Sequence, residues 1–238
     1  MQNHGKKSNK KFILILLVIL NLILCRTKPE IKPTKKDSSS SIVFQIRVPV
    51  TIGSMKILVD KAWLIKFDKE KKEISELEIL ETNFTSKERI YYLNIEPGEY
   101  GILGVFRHIP AGKYSIRRKI WYLFDKNSLQ LTKFRVEPFQ NLVLGELVLD
   151  FSQIRFGEDY QMDLIAEKIC PSFADIQKKD IWNHIVDNIF GGFGGTVNEA
   201  SYYKVLTFNV SPEKKEEISK EARLDLEKTE WSKIPITK

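Results

Sequence analysis

Residues 90–124 read IYYLNIEPGEYGILGVFRHIPAGKYSIRRKIWYLF. Apolar runs and turn signals alternate along this stretch. Ile90-Tyr91-Tyr92-Leu93-Asn94-Ile95 is rich in β-branched and aromatic residues, and Glu96-Pro97-Gly98-Glu99 closes it. Tyr100 to Arg107 follows, then the turn Ile109-Pro110-Ala111-Gly112-Lys113, then the long run Tyr114 to Phe124. Proline presets φ and glycine supplies positive φ, as a tight reversal between strands requires. The stretch therefore predicts three consecutive strands joined by hairpin turns.

The same pattern extends in both directions. Upstream, Ile42 to Val48 and Ala62 to Phe67 read as strands, and Ile74 to Glu81 returns from the charged turn Asp68 to Glu73. Downstream, Phe134 to Phe139, Leu142 to Phe151, Tyr160 to Ala166 and Tyr202 to Val210 continue it. Many short strands with regular turn punctuation predict a mainly β fold, an antiparallel β-sandwich or barrel. Two helices interrupt it. One is an insert over about 172–190, capped by Ser172 and stopped by Gly191-Gly192. The other is C-terminal, over about 212–228, opened by Ser211-Pro212 and carrying Ile218, Ala222 and Leu226 as a narrow apolar stripe. The Glu/Lys pairs around that stripe read as a solvated face and not as a binding motif.

The N-terminus carries a different signal. Lys6, Lys7, Lys10 and Lys11 precede the apolar run Phe12 to Leu24, which ends at Cys25. A bilayer-spanning helix needs roughly 20 apolar residues, so this run is too short to span. Its length suits the apolar core of a secretory signal peptide. Leu22-Ile23-Leu24-Cys25 resembles a bacterial lipobox, with Leu24 bulkier than the small residue usual before the cysteine. The resemblance implies that residues 1–24 are removed and that Cys25 is lipidated, becoming the membrane anchor. Residues 25–41, rich in Lys, Pro and Ser, then form a flexible tether, and 42–238 fold as a single domain. Arg26 is not the aspartate that resembles an inner-membrane retention signal, so the outer membrane is the expected destination.

The net charge of +7 suggests a nucleic-acid binder until it is divided. Residues 1–37 hold nine of the 38 basic and two of the 31 acidic groups, which leaves 29 of each for residues 38–238. The exported part is neutral, so no nucleic-acid partner is expected. Arg117-Arg118-Lys119 is a local basic run, but alternate residues of a strand face opposite sides, so the three do not form one patch. With Cys25 acylated, Cys170 is the other cysteine, flanked by Ile169 and Pro171, and reads as a buried thiol without a disulfide partner.

Ile109 to Ile116, then Phe134 to Phe139, then Leu144-Gly145-Glu146-Leu147 are similar to a recurrent pattern. It looks like the prealbumin-like (transthyretin-like) β-sandwich modules of bacterial surface proteins and lipoproteins, over about residues 89–150. The resemblance implies a non-catalytic module and carries over no functional residues. Segment 168–200 departs from it.

The chain offers little catalytic chemistry. His4 lies in the signal peptide, His108 stands before a turn, and His184 lies in the inserted helix, four residues after Asp180. Neither of the latter two has metal-ligand spacing. Gly191-Gly192-Phe193-Gly194-Gly195 lacks the Lys-Ser/Thr of a phosphate loop and follows a helix, so it reads as a helix stop and loop. Asn83-Phe84-Thr85 fits a glycosylation acceptor, which bacterial export discounts. Tyr91-Tyr92 and Tyr202-Tyr203 read as strand pairs with one ring in and one out. No catalytic residue, cofactor site or metal site is expected. The expected function is a membrane-anchored envelope lipoprotein acting as a binding, adhesion or assembly module. The alternatives are an envelope hydrolase with an unlocated site and a carrier of lipid or another small ligand.

Overall fold

The computed structural model describes residues 31, 40–49, 54–56, 58–71, 73–110, 117–154, 160–170, 173, 176, 196–209 and 211–237. The chain divides into two units, 1–32 and 33–238, and of the first only Ile31 is described. Cys25, Gly112, Asp180, His184 and Gly191 to Gly195 lie outside the described residues.

The second unit is mainly β. Its strands, numbered in chain order, are β1 (Ser40–Pro49), β2 (Ser54–Lys56), β3 (Lys61–Phe67), β4 (Glu78–Glu81), β5 (Phe84–Ser86) and β6 (Arg89–Ile95). They continue as β7 (Gly98–Ile109), β8 (Arg117–Phe124), β9 (Phe134–Val136), β10 (Asn141–Ile154), β11 (Thr196–Asn209) and β12 (Ile236–Thr237). Hydrogen bonds link them into one twelve-stranded network with the path β4-β3-β7-β8-β11-β10-β1-β6-β5. β9, β2 and β12 attach to β7, β1 and β10.

The expectation of an antiparallel sheet is corrected. β1 pairs β10 in parallel, with Ser41 opposite Asn141, and β8 pairs β11 in parallel, with Arg117 opposite Thr196. β10 and β12 are parallel as well. Alternation of apolar residues reports that a segment is a strand with a buried face. It carries no information on the direction of its neighbour, so a mixed sheet and an antiparallel one look alike in sequence.

β4 and β5 are the two ends of the sheet path, yet only Thr82 and Asn83 separate them in the chain. Those two residues close the sheet. The Thr82 N–H donates to the Ala62 carbonyl on β3 at 2.9 Å, while its hydroxyl donates to the Tyr91 carbonyl on β6 at 2.7 Å. The Asn83 amide mimics a strand pairing with β6: Nδ2 donates to the Leu93 carbonyl at 2.7 Å and Oδ1 accepts from the Leu93 N–H at 2.9 Å. Closure gives the strands a shared interior. Ile42, Phe44 and Ile46 of β1 join Leu64 of β3, Tyr100 of β7 and Tyr203 of β11 in one buried cluster.

Two local irregularities let the sheet curl. The β1·β10 register shifts between Val43 and Phe44, where Gly145 takes φ +105°, a conformation that L side chains rarely adopt. At Gly104 a Cβ would stand 2.6 Å from the Tyr122 carbonyl oxygen, so β7 and β8 approach closely only because no side chain is there.

Helices cover the outer face. α1 (Lys126–Leu131) was not expected, although Asp125 caps it by accepting from the Ser128 N–H at 2.8 Å. α2 (Tyr160–Ile169) replaces the expected strand over 160–166. Tyr160, Met162, Leu164 and Ala166 alternate as a strand would, but Met162, Ile165, Ala166 and Ile169 repeat at helical spacing. The second set wins because the outer face of the sheet is already apolar at Trp63, Leu103 and Trp121, and Met162, Ile165, Ala166 and Ile169 join them in a second cluster. α3 (Pro212–Leu226) matches the expected C-terminal helix, with Ser211 accepting from the Lys214 N–H and Ile218, Ala222 and Leu226 buried. Of the expected insert, only Phe173 and Ile176 are described; both are helical and buried in the second cluster. Ser40 and Ser41, read as the end of the tether, are the first residues of β1 and are buried.

Asn83→Ala removes both bonds to Leu93 and leaves a half-buried N–H and carbonyl without partners. We expect a loss of roughly 1–3 kcal/mol, seen as a melting temperature lower by several degrees in thermal denaturation. Asn83→Asp keeps the acceptor and should fall between the two. An unchanged melt for Asn83→Ala would remove this residue from the closure.

A closed Arg89–Asp225 cluster as the candidate functional site

The densest arrangement of ionisable groups lies between β6 and α3. β6 alternates: Ile90 and Tyr92 turn to the interior, and Arg89 and Tyr91 turn outward beneath α3. Glu221 and Asp225 stand one turn apart on α3 and meet them.

Arg89 is only 2% exposed. Its guanidinium grips Asp225 with two bonds, Nε to Oδ2 at 2.5 Å and Nη2 to Oδ1 at 3.0 Å, and Nη1 donates to Glu221 Oε2. The Tyr91 hydroxyl donates to Asp225 Oδ2 at 2.6 Å, and the Ser86 hydroxyl donates to Oδ1 at 2.8 Å. Asp225 therefore accepts four hydrogen bonds, two on each oxygen. This is the fork geometry in which arginine binds a carboxylate most strongly.

The electrostatics follow from the geometry. Burial alone would push the Asp225 carboxyl up, but hydrogen bonds from Arg89, Tyr91 and Ser86 and the guanidinium charge hold it below the usual carboxylate range. Burial also works against the Arg89 charge, and the bond to Asp225 with the surrounding groups more than offsets it. The Tyr91 phenol is pushed far up, first by burial and then by its bond to Asp225. At neutral pH the cluster holds an ionised carboxylate, an ionised guanidinium and a neutral phenol. A general base needs a free lone pair aimed at a substrate proton. The four bonds to Asp225 occupy its lone pairs, and the cluster fastens α3 to the sheet.

A second polar group sits beside it. Glu146 on β10 is buried and pairs with Arg47 Nε at 3.0 Å, with Lys214 Nζ of α3 at 3.9 Å. Gln45, its register partner on β1, is buried and reaches Glu221 at 3.5 Å. While Lys214 and Glu217 pair on its exposed side, the apolar stripe of α3 is thus flanked by ionic contacts of Glu221 and Asp225 with the sheet. The signals for them were present in sequence: a lone Arg89 opening an apolar strand, and two acids four apart beside a helical stripe. Nothing in sequence joins residues 136 positions apart.

The other singled-out residues are dispersed. Cys170 is a free, buried thiol in the outer cluster. His108 is exposed on β7, and its backbone N–H donates to Asp60 Oδ2 at 2.5 Å. Arg117, Arg118 and Lys119 are exposed on β8, where Arg118 grips Glu199 through two bonds at 2.8 and 2.6 Å. Tyr92 stacks inward on Phe44, while Tyr203 packs inward on Tyr122 and Tyr202 outward on Phe173. The Asn83 amide is committed to Leu93. A hollow of about 370 Å³ opens beside Leu226 and Trp231, but the Asn141 side chain on its wall is spent on Ser41 and on the carbonyls of Trp231 and Ile234. Among the described residues no group of three or more His, Cys, Asp or Glu could hold a metal ion.

Asp225→Asn should leave the Arg89 charge buried with a weakened partner and destabilise the fold by about 3 kcal/mol, read as a shift of the urea midpoint. Arg89→Met with Asp225→Leu should recover part of that loss. The Asp225 carboxyl is held below its unfolded value, so its contribution is present above the ordinary carboxylate range and is lost as pH falls through the lower folded value. The acid arm of the stability profile should therefore flatten in Asp225→Asn; an arm parallel to the parent would dissociate Asp225 from acid unfolding.

No family model matches the chain, and comparison with curated proteins gives no match.

Proposed function

We propose that the chain is a lipid-anchored bacterial envelope protein whose β domain is a non-catalytic binding, adhesion or assembly module. The observation that carries this reading is the N-terminal layout: four lysines, the apolar run Phe12 to Leu24, and Cys25 at its end. In this reading residues 1–24 are removed, Cys25 is acylated, and the absence of a retention-type aspartate at position 26 favours the outer membrane. β1 begins at Ser40, so residues 26–39 connect the lipid to the sheet. Fully extended, that length reaches roughly 45–50 Å. Among the described residues no helix is long and apolar enough to cross a membrane.

Two further points support a binding role over a hydrolase. The best-organised carboxylate, Asp225, is saturated by four donors. The pattern over about 89–150 is similar to prealbumin-like sandwich modules, which are mostly non-catalytic. A carrier reading has one observation on its side: the Tyr92 hydroxyl is buried in the interior, with no hydrogen-bond partner among the described residues.

The test is the mature N-terminus. Mass spectrometry of the membrane-extracted protein should find Cys25 first and multiply acylated, since one acyl chain gives only marginal binding. Cys25→Ala should leave the detergent phase or remain unprocessed. An intact Met1 in the membrane form would overturn the assignment.

A further inference from the structure

We propose that the rim of the sheet interior formed by β7, β8 and β11 is a binding site for a small monocarboxylate with an apolar body. Strand alternation sorts the side chains that build it. On β7, Val105, Arg107 and Ile109 share a face; Val105 lies in the interior cluster and Ile109 packs against it. Val105 stands opposite Tyr122 of β8, Arg107 opposite Ile120, and Ile109 opposite Arg118. Ile120 stands opposite Glu199 of β11, and Tyr203 of that strand packs on Tyr122 with ring centroids 5.1 Å apart. Arg107, Arg118, Glu199, Tyr122 and Tyr203 therefore turn to the same side of the sheet. His108, Arg117 and Lys119 turn to the other.

Two donors on this side are unspent. Tyr122 is only 8% exposed, and its hydroxyl has no hydrogen-bond partner among the described residues. A buried hydroxyl without a partner is costly, and an acceptor placed beside it removes that cost. Arg107 is half-buried and has no ion pair among the described residues. Arg118 is committed in part: its Nε and Nη2 donate to Glu199 at 2.8 and 2.6 Å. Burial first, and then Tyr203, push the Tyr122 phenol up, while Arg107 and Arg118 pull the other way. The phenol is thus a neutral donor at neutral pH, within reach of both guanidinium charges.

The charge and surroundings of these groups select the ligand. Glu199 neutralises one of the two guanidinium groups, so a single positive charge is left over. A monoanion balances it; a phosphate monoester, with roughly two negative charges, would be left partly uncompensated. A carboxylate also matches the fork of Arg107 and accepts from the Tyr122 hydroxyl with the same oxygens. The neighbours on this face, Val105, Ile109, Ile120 and the Tyr203 ring, are apolar or aromatic and suit a hydrocarbon or aromatic body. A few polar groups on an apolar lining are the usual make-up of a small-ligand site, and the mouth of a barrel is a usual place for one. The assignment gives the binding role proposed above a ligand class; it rests on that role and does not require Cys25.

The test uses the full-length, detergent-solubilised protein and 4-phenylbutanoate as the probe, with affinity measured by titration calorimetry. The parent should bind the acid, and should bind the uncharged 4-phenylbutanamide roughly tenfold more weakly or worse. Arg107→Gln should weaken binding of the acid by roughly tenfold or more, with an unchanged melting temperature because Arg107 has no partner to lose. Tyr122→Phe should weaken it by roughly three- to tenfold and stands in if Arg107→Gln folds poorly. Lys119→Gln removes a charge from the opposite face of β8 and should leave affinity within about twofold of the parent. Cys25→Ala should bind as the parent does, so a failure of lipid anchoring and a failure of this site give different results. No binding of the acid by the parent, equal affinity for acid and amide, or equal losses in Arg107→Gln and Lys119→Gln would each overturn the assignment.

Discussion

The fold depends on two residues, Thr82 and Asn83, that stand between the first and last strands of the sheet path. An open sheet leaves a row of N–H and carbonyl groups at each edge. Here the edge problem is solved by chain connectivity. β4 leaves β3, the chain crosses in two residues, and β5 takes its place on β6. At the crossing, backbone bonds give way to side-chain bonds: the Thr82 hydroxyl and the Asn83 amide supply what a strand would have supplied to Tyr91 and Leu93. Closure gives the long strands one interior, so Phe44 of β1 and Leu64 of β3 belong to the same cluster despite lying far apart along the path.

Closure also creates the need for the helices. A sheet whose inner face is full still presents an apolar outer face at Trp63, Leu103 and Trp121, and α2 packs there. On the other flank the outer face is polar at Arg89, Gln45 and Glu146, and α3 covers it by a different means. Its stripe of Ile218, Ala222 and Leu226 is narrow, and the ionic grip of Asp225 and Glu221 on Arg89 supplements it. Removing charges from water is costly, and only close to full satisfaction of their hydrogen bonds compensates. The four bonds to Asp225 meet that condition. An arrangement this complete is suited to holding an element in place and has no vacancy for a reacting group.

Legibility in the sequence followed the range of the interactions concerned. Strands with one clear turn on each side, such as Ile90 to Ile95 and Tyr100 to Arg107, could be read because alternation and Pro97-Gly98 are local signals. The C-terminal helix was legible for the same reason, through Ser211-Pro212 and the spacing of Ile218, Ala222 and Leu226. Tyr160 to Ile169 carried two periods at once, and the tertiary surface it met decided between them. Asn83 fitted a glycosylation pattern that the export signal discounted, and its structural role stayed hidden because its partner, Leu93, lies on a strand ten residues away. Arg89 and Asp225 each carried a faint signal, and their meeting carried none.

The sequence by itself determined that residues 38–238 are β-rich, that their charge is balanced once residues 1–37 are set apart, and that a helix follows Ser211-Pro212. These follow from composition and from periods of two and 3.6 residues, which are properties of neighbouring positions. Only the tertiary structure decided the direction of each strand pair, the closure at Thr82-Asn83, the helical state of 160–169 and the clamp between β6 and α3. Each depends on groups brought together from distant parts of the chain. Their free energy comes from removing specific partners from water at the same point in space, and no local pattern records which partner that is.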